Sequence, residues 1–324
     1  MRKKLSRERI IYFAAIALTV LSMESLATSC SSVLLQRYPN TVFLGNTDSG
    51  YPTHLRWSPV NERIAITSYS DIENISNIYI LDVETRNIQL VFETSYGIVT
   101  ADGWSADAEQ ILFSSEDGVR EYKPGIWLFD VDSGATTKYL SEGYSAAWSP
   151  IGNNLAIFKV VRKTPAWDIT LHIFDLDSSK DDIVYKTKGK YIYGLSWSPD
   201  GTHLAFALAQ ETQLDAVNIY TLDVSSGELV QLTTFGKNSS LIWSPTGDMI
   251  AYLIEDPDNN TKLYFQDIDQ SCGVVVPNIE NISSPTWSPD GRYIAFIGDF
   301  GGIYQLDLVK VFGESFLTKG INCP

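Results

Sequence analysis

Short apolar triplets recur along the chain in a fixed setting. Ile64-Ala65-Ile66, Ile111-Leu112-Phe113, Leu155-Ala156-Ile157, Leu204-Ala205-Phe206, Ile250-Ala251-Tyr252 and Ile294-Ala295-Phe296 each begin seven residues after a tryptophan: Trp57, Trp104, Trp148, Trp197, Trp243 and Trp287. Apolar runs this short predict strands, and no 3.6-residue periodicity competes with them. Turn chemistry stands between each tryptophan and its triplet: Ser58-Pro59-Val60-Asn61, Ser105-Ala106-Asp107-Ala108, Ser149-Pro150-Ile151-Gly152, Ser198-Pro199-Asp200-Gly201, Ser244-Pro245-Thr246-Gly247 and Ser288-Pro289-Asp290-Gly291. Serine suits the first position of a type I turn, proline presets φ at the second, and glycine accepts positive φ at the end. Asn61 tolerates the left-handed region, whereas Ala108 does not do so cheaply. The second repeat's turn is therefore expected to be distorted or of another type. The constant offset makes tryptophan, turn and strand one rigid hairpin, because an added residue would turn the strand over.

A third run ends in aspartate in every repeat, at Asp82, Asp130, Asp175, Asp223, Asp267 and Asp307, 20 to 27 residues after the tryptophan. The variable length lies between second and third strands, and such loops are the usual carriers of function. Gln89-Leu90-Val91-Phe92, Asp182-Ile183-Val184-Tyr185 and Leu229-Val230-Gln231-Leu232 suggest a fourth strand. The tryptophans are spaced by 47, 44, 49, 46 and 44 residues. Four strands in a period of this length predict an all-β, six-bladed propeller with four-stranded antiparallel blades. Thr41-Val42-Phe43-Leu44 and Glu314-Ser315-Phe316-Leu317 both look like an outer strand, and residues 41–45 are expected to complete or flank the last blade.

The turn followed by Ile-Ala-Phe resembles the TolB-like, PD40 (WD40-like) propeller repeat, from residue 41 to about 320. The turns at Trp197 and Trp287 match it completely, and the one at Trp104 keeps only serine and aspartate. Members of this family that work in the Tol envelope system carry an extra α/β domain ahead of the propeller. No room for one is expected here, which counts against that specific role. Members that cleave acidic polysaccharides use histidine-rich metal sites, whereas His54, His172 and His203 fall in three different repeats. No Gly-x-Ser-x-Gly elbow is present, so the hydrolase domain of related peptidases is not represented.

The N-terminus adds a destination. Arg2, Lys3, Lys4, Arg7 and Arg9 precede an apolar run from Ile10 to Met23, with small residues after it. That order predicts a secretory signal over residues 1–29, followed by a tether over 30–40 and the propeller over 41–324. Leu26-Ala27-Thr28-Ser29-Cys30 resembles a bacterial lipobox, which makes Cys30 a candidate for lipidation. Using Cys30 for lipid leaves Cys272 and Cys323 as a possible disulfide in an oxidising compartment. The chain is thus expected in the bacterial periplasm or at the cell surface, touching membrane only through an N-terminal lipid or an uncleaved signal.

Formal net charge is −15, and removing residues 1–29 takes away five basic and two acidic residues, leaving −18. With no cluster of lysine and arginine to follow a phosphate backbone, nucleic acid is excluded as a partner. Asp256, Asp258 and Asn260 alternate as in calcium loops but lack the following glycine and distal glutamate, so a solvated loop is expected, with no cofactor or metal. Residues one and three before each tryptophan are expected to face the ring's centre, and most are small: Ala101, Gly103, Ser145, Ala147, Gly194, Ser196, Ser240, Ser284 and Thr286. His54 and Arg56 are the large polar exceptions. With Asp102, Tyr144 and Tyr193 they form a candidate binding site at one channel mouth. The pattern predicts a monomeric binding or scaffolding module of the envelope, with a protein or glycan partner. The rival is a propeller enzyme, or a small-ligand or metal sensor, with its site at the same mouth.

Overall fold

The computed structural model describes residues 38–319, except 96–97, 117–124, 141–142, 144, 162–165, 211–215, 235, 257 and 271. A strand β1 (Thr41–Gly45) precedes blade 1, which comprises β2 (Tyr51–Trp57), β3 (Arg63–Ser70), β4 (Ile75–Asp82) and β5 (Ile88–Thr94). Blade 2 is β6 (Ile98–Trp104), β7 (Gln110–Glu116), β8 (Gly125–Asp130) and β9 (Thr136–Leu140). Blade 3 is β10 (Ser145–Trp148), β11 (Asn154–Val161), β12 (Trp167–Asp175) and the first half of β13 (Asp181–Trp197). The second half of β13 begins blade 4, with β14 (His203–Gln210), β15 (Asn218–Asp223) and β16 (Leu229–Gln231). Blade 5 is β17 (Lys237–Trp243), β18 (Met249–Glu255), β19 (Thr261–Asp267) and β20 (Gly273–Glu280). Blade 6 holds β21 (Ser283–Trp287), β22 (Tyr293–Ile297) and β23 (Ile303–Asp307), and β1 supplies its outer strand.

The protein is a six-bladed, all-β propeller closed by its own N-terminal segment, with Thr41 opposite Leu306 and Phe43 opposite Tyr304. Residues 314–317 are not a competing strand. The chain after β23 turns helical, in α1 (Leu308–Phe312) and α2 (Phe316–Lys319). Asp307 caps α1 by accepting the Val309 N–H at 3.1 Å, and Phe316 lies flat on the Trp287 ring with centroids 6.4 Å apart. Cys272, buried just before β20, is disulfide-bonded. Cys30 and Cys323 lie outside the described residues.

Each of the six apolar clusters sits at one blade boundary. This explains the triplets. In Ile64-Ala65-Ile66 the isoleucines point toward blade 6, while Ala65 joins the layer that holds Trp104 of blade 2. Ala156, Ala205, Ala251 and Ala295 share a layer in the same way with Trp197, Trp243, Trp287 and Trp57. A methyl at the centre of these five triplets leaves space for the indole of the next blade, whereas Leu112 of the second triplet fills the layer next to Trp148.

The hairpin turns repeat closely. Ser58, Ser105, Ser149, Ser198, Ser244 and Ser288 each donate their N–H to the carbonyl five residues on, at 2.8–2.9 Å. The second repeat keeps this turn: Ala108 takes φ +59° and donates to Ser105 O at 2.9 Å. Its methyl is buried in the cluster between blades 1 and 2, and that burial offsets the left-handed backbone.

Candidate functional site

Inner strands run from what is termed here the loop face, where second-to-third-strand loops lie, to the turn face, where the Ser-Pro turns lie. What these strands show the central channel is set by breaks in alternation. Register shifts occur between Pro52 and His54, Ala101 and Gly103, Tyr193 and Ser196, Ser239 and Ile242, and Ser283 and Thr286. A bulge re-aims the side chains around it. Strict alternation places Ala101 in the channel. Instead Ala101 is core, and Asp102, the bulged residue, lines the channel. The small hydroxyl residues at the centre also tie blades together. Ser284 Oγ accepts the Leu55 N–H at 2.7 Å, Thr286 Oγ1 that of Trp57 at 2.9 Å, and Ser196 Oγ that of Trp243 at 3.1 Å.

At the loop face the channel opens into a cavity of about 380 Å³ that brings together His54, Arg56, Asp102 and Tyr193. Tyr144 lies outside the described residues. A second cavity, about 440 Å³, opens at the turn face among the repeat tryptophans and prolines. Arg56, Asp102 and Leu241 line both and mark the waist between them.

Arg56 is anchored by main chain. Its Nε donates to Asp102 O at 3.0 Å and its Nη1 to Leu55 O at 2.9 Å, which leaves Nη2 over. Among the described residues no carboxylate oxygen lies within 4.0 Å of the guanidinium. Asp102 is buried, with Oδ2 lacking a partner. Burial pushes its pKa up to about 7, against hydrogen bonding from Ser114, the charge of Arg56 and the Ala146 backbone N–H. Burial, and then the charge of Arg56, bring His54 down to about 4, and its Nδ1 is also without a partner. The Tyr193 hydroxyl donates to Asn238 O at 3.1 Å. At neutral pH the mouth therefore presents one fixed cation, a neutral imidazole and a carboxyl near its midpoint.

The other chemistry-bearing residues do not converge. His172 is buried against Asp181, with Nδ1 and Oδ1 2.6 Å apart, and His203 lies 3.7 Å from Asp223 at the turn face. Asp256 holds its own loop, accepting from Asp258 N and Asn260 N at 2.9 Å, and pairs with Lys262 at 3.2 Å. Among the described residues no three potential ligands could hold a metal ion. The strand-end aspartates are turn residues: Asp82, Asp130 and Asp223 accept from the N–H three residues on, at 2.7–2.8 Å.

Sequence patterning missed one feature of the loop face. Tyr51, Ile72 and Phe300 are 72%, 98% and 81% exposed, all on loop-face ends of blades 6 and 1. Phe300 holds φ +56° within the 3₁₀ turn Asp299–Gly301. A methyl built on Gly301, φ +75°, would meet Pro52 Cδ at 3.0 Å and the Tyr51 ring at 3.4 Å, so this turn packs on the start of β2. The glycines flanking both aromatics were the available signal.

A family model described as the TolB beta propeller domain matches residues 142–321, more than half of the chain. The chain belongs to the TolB β-propeller family. No curated relative matches it in sequence. Among solved structures it is similar to TolB from Acinetobacter baumannii, with TM-score 0.62 and 19% identity, covering 76% of this chain and 63% of that one. It thus spans less than two thirds of that TolB. It is also similar to an oligogalacturonate lyase from Vibrio parahaemolyticus (TM-score 0.55, 13% identity, 82% and 93% covered). A gluconolactonase from Xanthomonas campestris gives TM-score 0.61 at 12% identity, with 82% and 88% covered. At these identities the likeness carries the fold, and fold alone leaves function to the site.

Proposed function

We propose that this TolB-family propeller is an exported binding module of the cell envelope that engages a partner protein through its loop face. The observation that carries this reading is the meeting, on one face, of exposed Tyr51, Ile72 and Phe300 with a mouth whose polar groups are left unpaired. Large apolar side chains beside unsatisfied polar ones are the composition of an interface core and its anchor points. Membership of the TolB family supports an envelope setting. So do the signal-like N-terminus and the disulfide at Cys272, since disulfides persist in oxidising compartments.

Photo-crosslinking residues placed singly at Tyr51, Ile72 and Phe300, and at Val60 and Ile151 on the turn face, test this in intact cells. One dominant protein adduct from the loop face, absent from the turn face, is the expected result. Equal labelling from both faces would sink the reading. Turnover of a small acid substrate, or stoichiometric bound metal, would favour the rival enzyme or sensor.

A further inference from the structure

The mouth is built as though one group were missing. Arg56 spends Nε and Nη1 on main-chain carbonyls and has no carboxylate within 4.0 Å among the described residues, yet it sits deep in the channel, where its accessible surface opens on the cavity. Asp102 Oδ2 is buried without a partner, and so is His54 Nδ1. An unpaired cation and bare polar atoms away from bulk water are costly unless a ligand satisfies them. The ligand has to bring negative charge for Arg56 and an oxygen able to share a proton with Asp102.

We propose that the loop-face mouth receives a carboxylate side chain of the partner protein, held by Arg56 Nη2 on one oxygen and by Asp102 Oδ2 on the other. This rests on the protein-binding reading above. Two carboxyl groups facing each other hold one proton between them. The raised pKa of Asp102, about 7, keeps that proton available at neutral pH, so Asp102 donates and the incoming carboxylate accepts. Among the described residues, the other titratable and charged groups facing Asp102 are His54 and Arg56 on β2 and Tyr193 on β13. His54, with a pKa of about 4, stays neutral over the relevant range, and Arg56 stays charged. Binding is therefore coupled to the protonation of Asp102 and weakens as pH rises through 7.

The test titrates the full chain with acetyl-aspartate amide, acetyl-asparagine amide and digalacturonate by calorimetry, at pH 6 and pH 8. The aspartate probe is expected to bind at least about tenfold tighter than the asparagine probe at pH 6, and to weaken about tenfold by pH 8. Arg56→Gln should lose that preference. Asp102→Asn, which fixes the uncharged form, should bind the aspartate probe equally at both pH values. If Arg56→Gln fails to fold, the flat profile of Asp102→Asn carries the test. Equal affinity for the aspartate and asparagine probes overturns the proposal, and so does a preference for digalacturonate, which would make the ligand a glycan. If the probes fail while loop-face crosslinks persist, the carboxylate inference is wrong and the binding reading stands.

Discussion

The indole N–H of Trp104 donates to the carbonyl oxygen of Arg56 at 2.8 Å, across the boundary between blades 1 and 2. The repeat tryptophan that builds the ring therefore also fixes the strand carrying the channel's cation. Trp104→Phe keeps most of the apolar volume but leaves that carbonyl without its partner. A loss of about 1–2 kcal/mol is expected, read as a lower denaturant midpoint with unchanged slope.

The alanine at the centre of five of the six triplets makes a packing prediction. Ala205 shares its layer with Trp243 of the next blade and has no exposed surface. Ala205→Leu should overpack that boundary and cost about 1–3 kcal/mol, whereas Ala205→Gly only empties it. A thermal melt of the two variants checks the asymmetry.

Asp102 gives the protein a pH dependence of defined sign. Its pKa of about 7 in the fold lies above the ordinary 3.8, so on raising the pH the unfolded chain releases this proton first. The Asp102 contribution to stability should fall between about pH 4 and pH 7 and level off above, while His54, its pKa lowered to about 4, contributes in the opposite sense over the same range, so the difference between parent and Asp102→Asn isolates it. Asp102→Asn removes that slope. The variant is expected to be more stable than the parent at pH 8, by an amount on the order of 2–4 kcal/mol, and to match it at pH 4, as judged by unfolding curves across the range.

Much of the ring was legible in the sequence because its hairpins are constant in length. The tryptophan hairpins and the strand-end aspartates follow from local chemistry, with the turn at Ala108 the exception, and the strand pattern of residues 41–45 marks the segment that closes the ring. Asp102 is placed at the mouth by the sequence, but the exchange in which Ala101 joins the core and Asp102 takes its place in the channel was not derivable, because period-2 reading assumes an unbroken ladder and β6 shifts register between Ala101 and Gly103. Nor was the run-on of β13, where Gly189 reads as a break between strands, yet pairs with Trp167 of one blade and Gln210 of the next as the strand passes on without stopping. The sequence of the helical ending predicts a strand equally well, since Phe316 and Leu317 fit either. Docking on Trp287 decided it. Of the site, His54 and Arg56 stood out as large polar residues in a row of small ones, whereas the exposed aromatics looked like ordinary loop residues.

Tyr38 anchors the clasp. It is 1% exposed, packs edge-on to Phe296 with centroids 5.3 Å apart, and its hydroxyl accepts the Asp299 N–H at 3.1 Å. Tyr38→Ala should cost about 3–5 kcal/mol through the cavity it leaves. Tyr38→Phe should cost about 1 kcal/mol. Faster amide exchange in β1 of the alanine variant is the direct readout.

The cysteines make a covalent prediction. With Cys272 disulfide-bonded, Cys323 is the expected partner and Cys30 remains for acylation. Non-reduced peptide mapping should recover the Cys272–Cys323 pair, and intact mass should show a chain beginning at a lipid-modified Cys30. A bridge to Cys30 would rule out both.

The clasp also sets an order of events. β1 is among the first segments of the propeller to leave a ribosome or a secretion pore, yet its pairing partner Leu306 is among the last. Until blade 6 has emerged, the earliest strand has nowhere to dock and the ring stays open. Long-range closure of this kind is slow, because distant segments must meet before any contact rewards them. On the export route proposed above, the chain would cross the membrane extended, and this topology would postpone the finished fold until translocation is over.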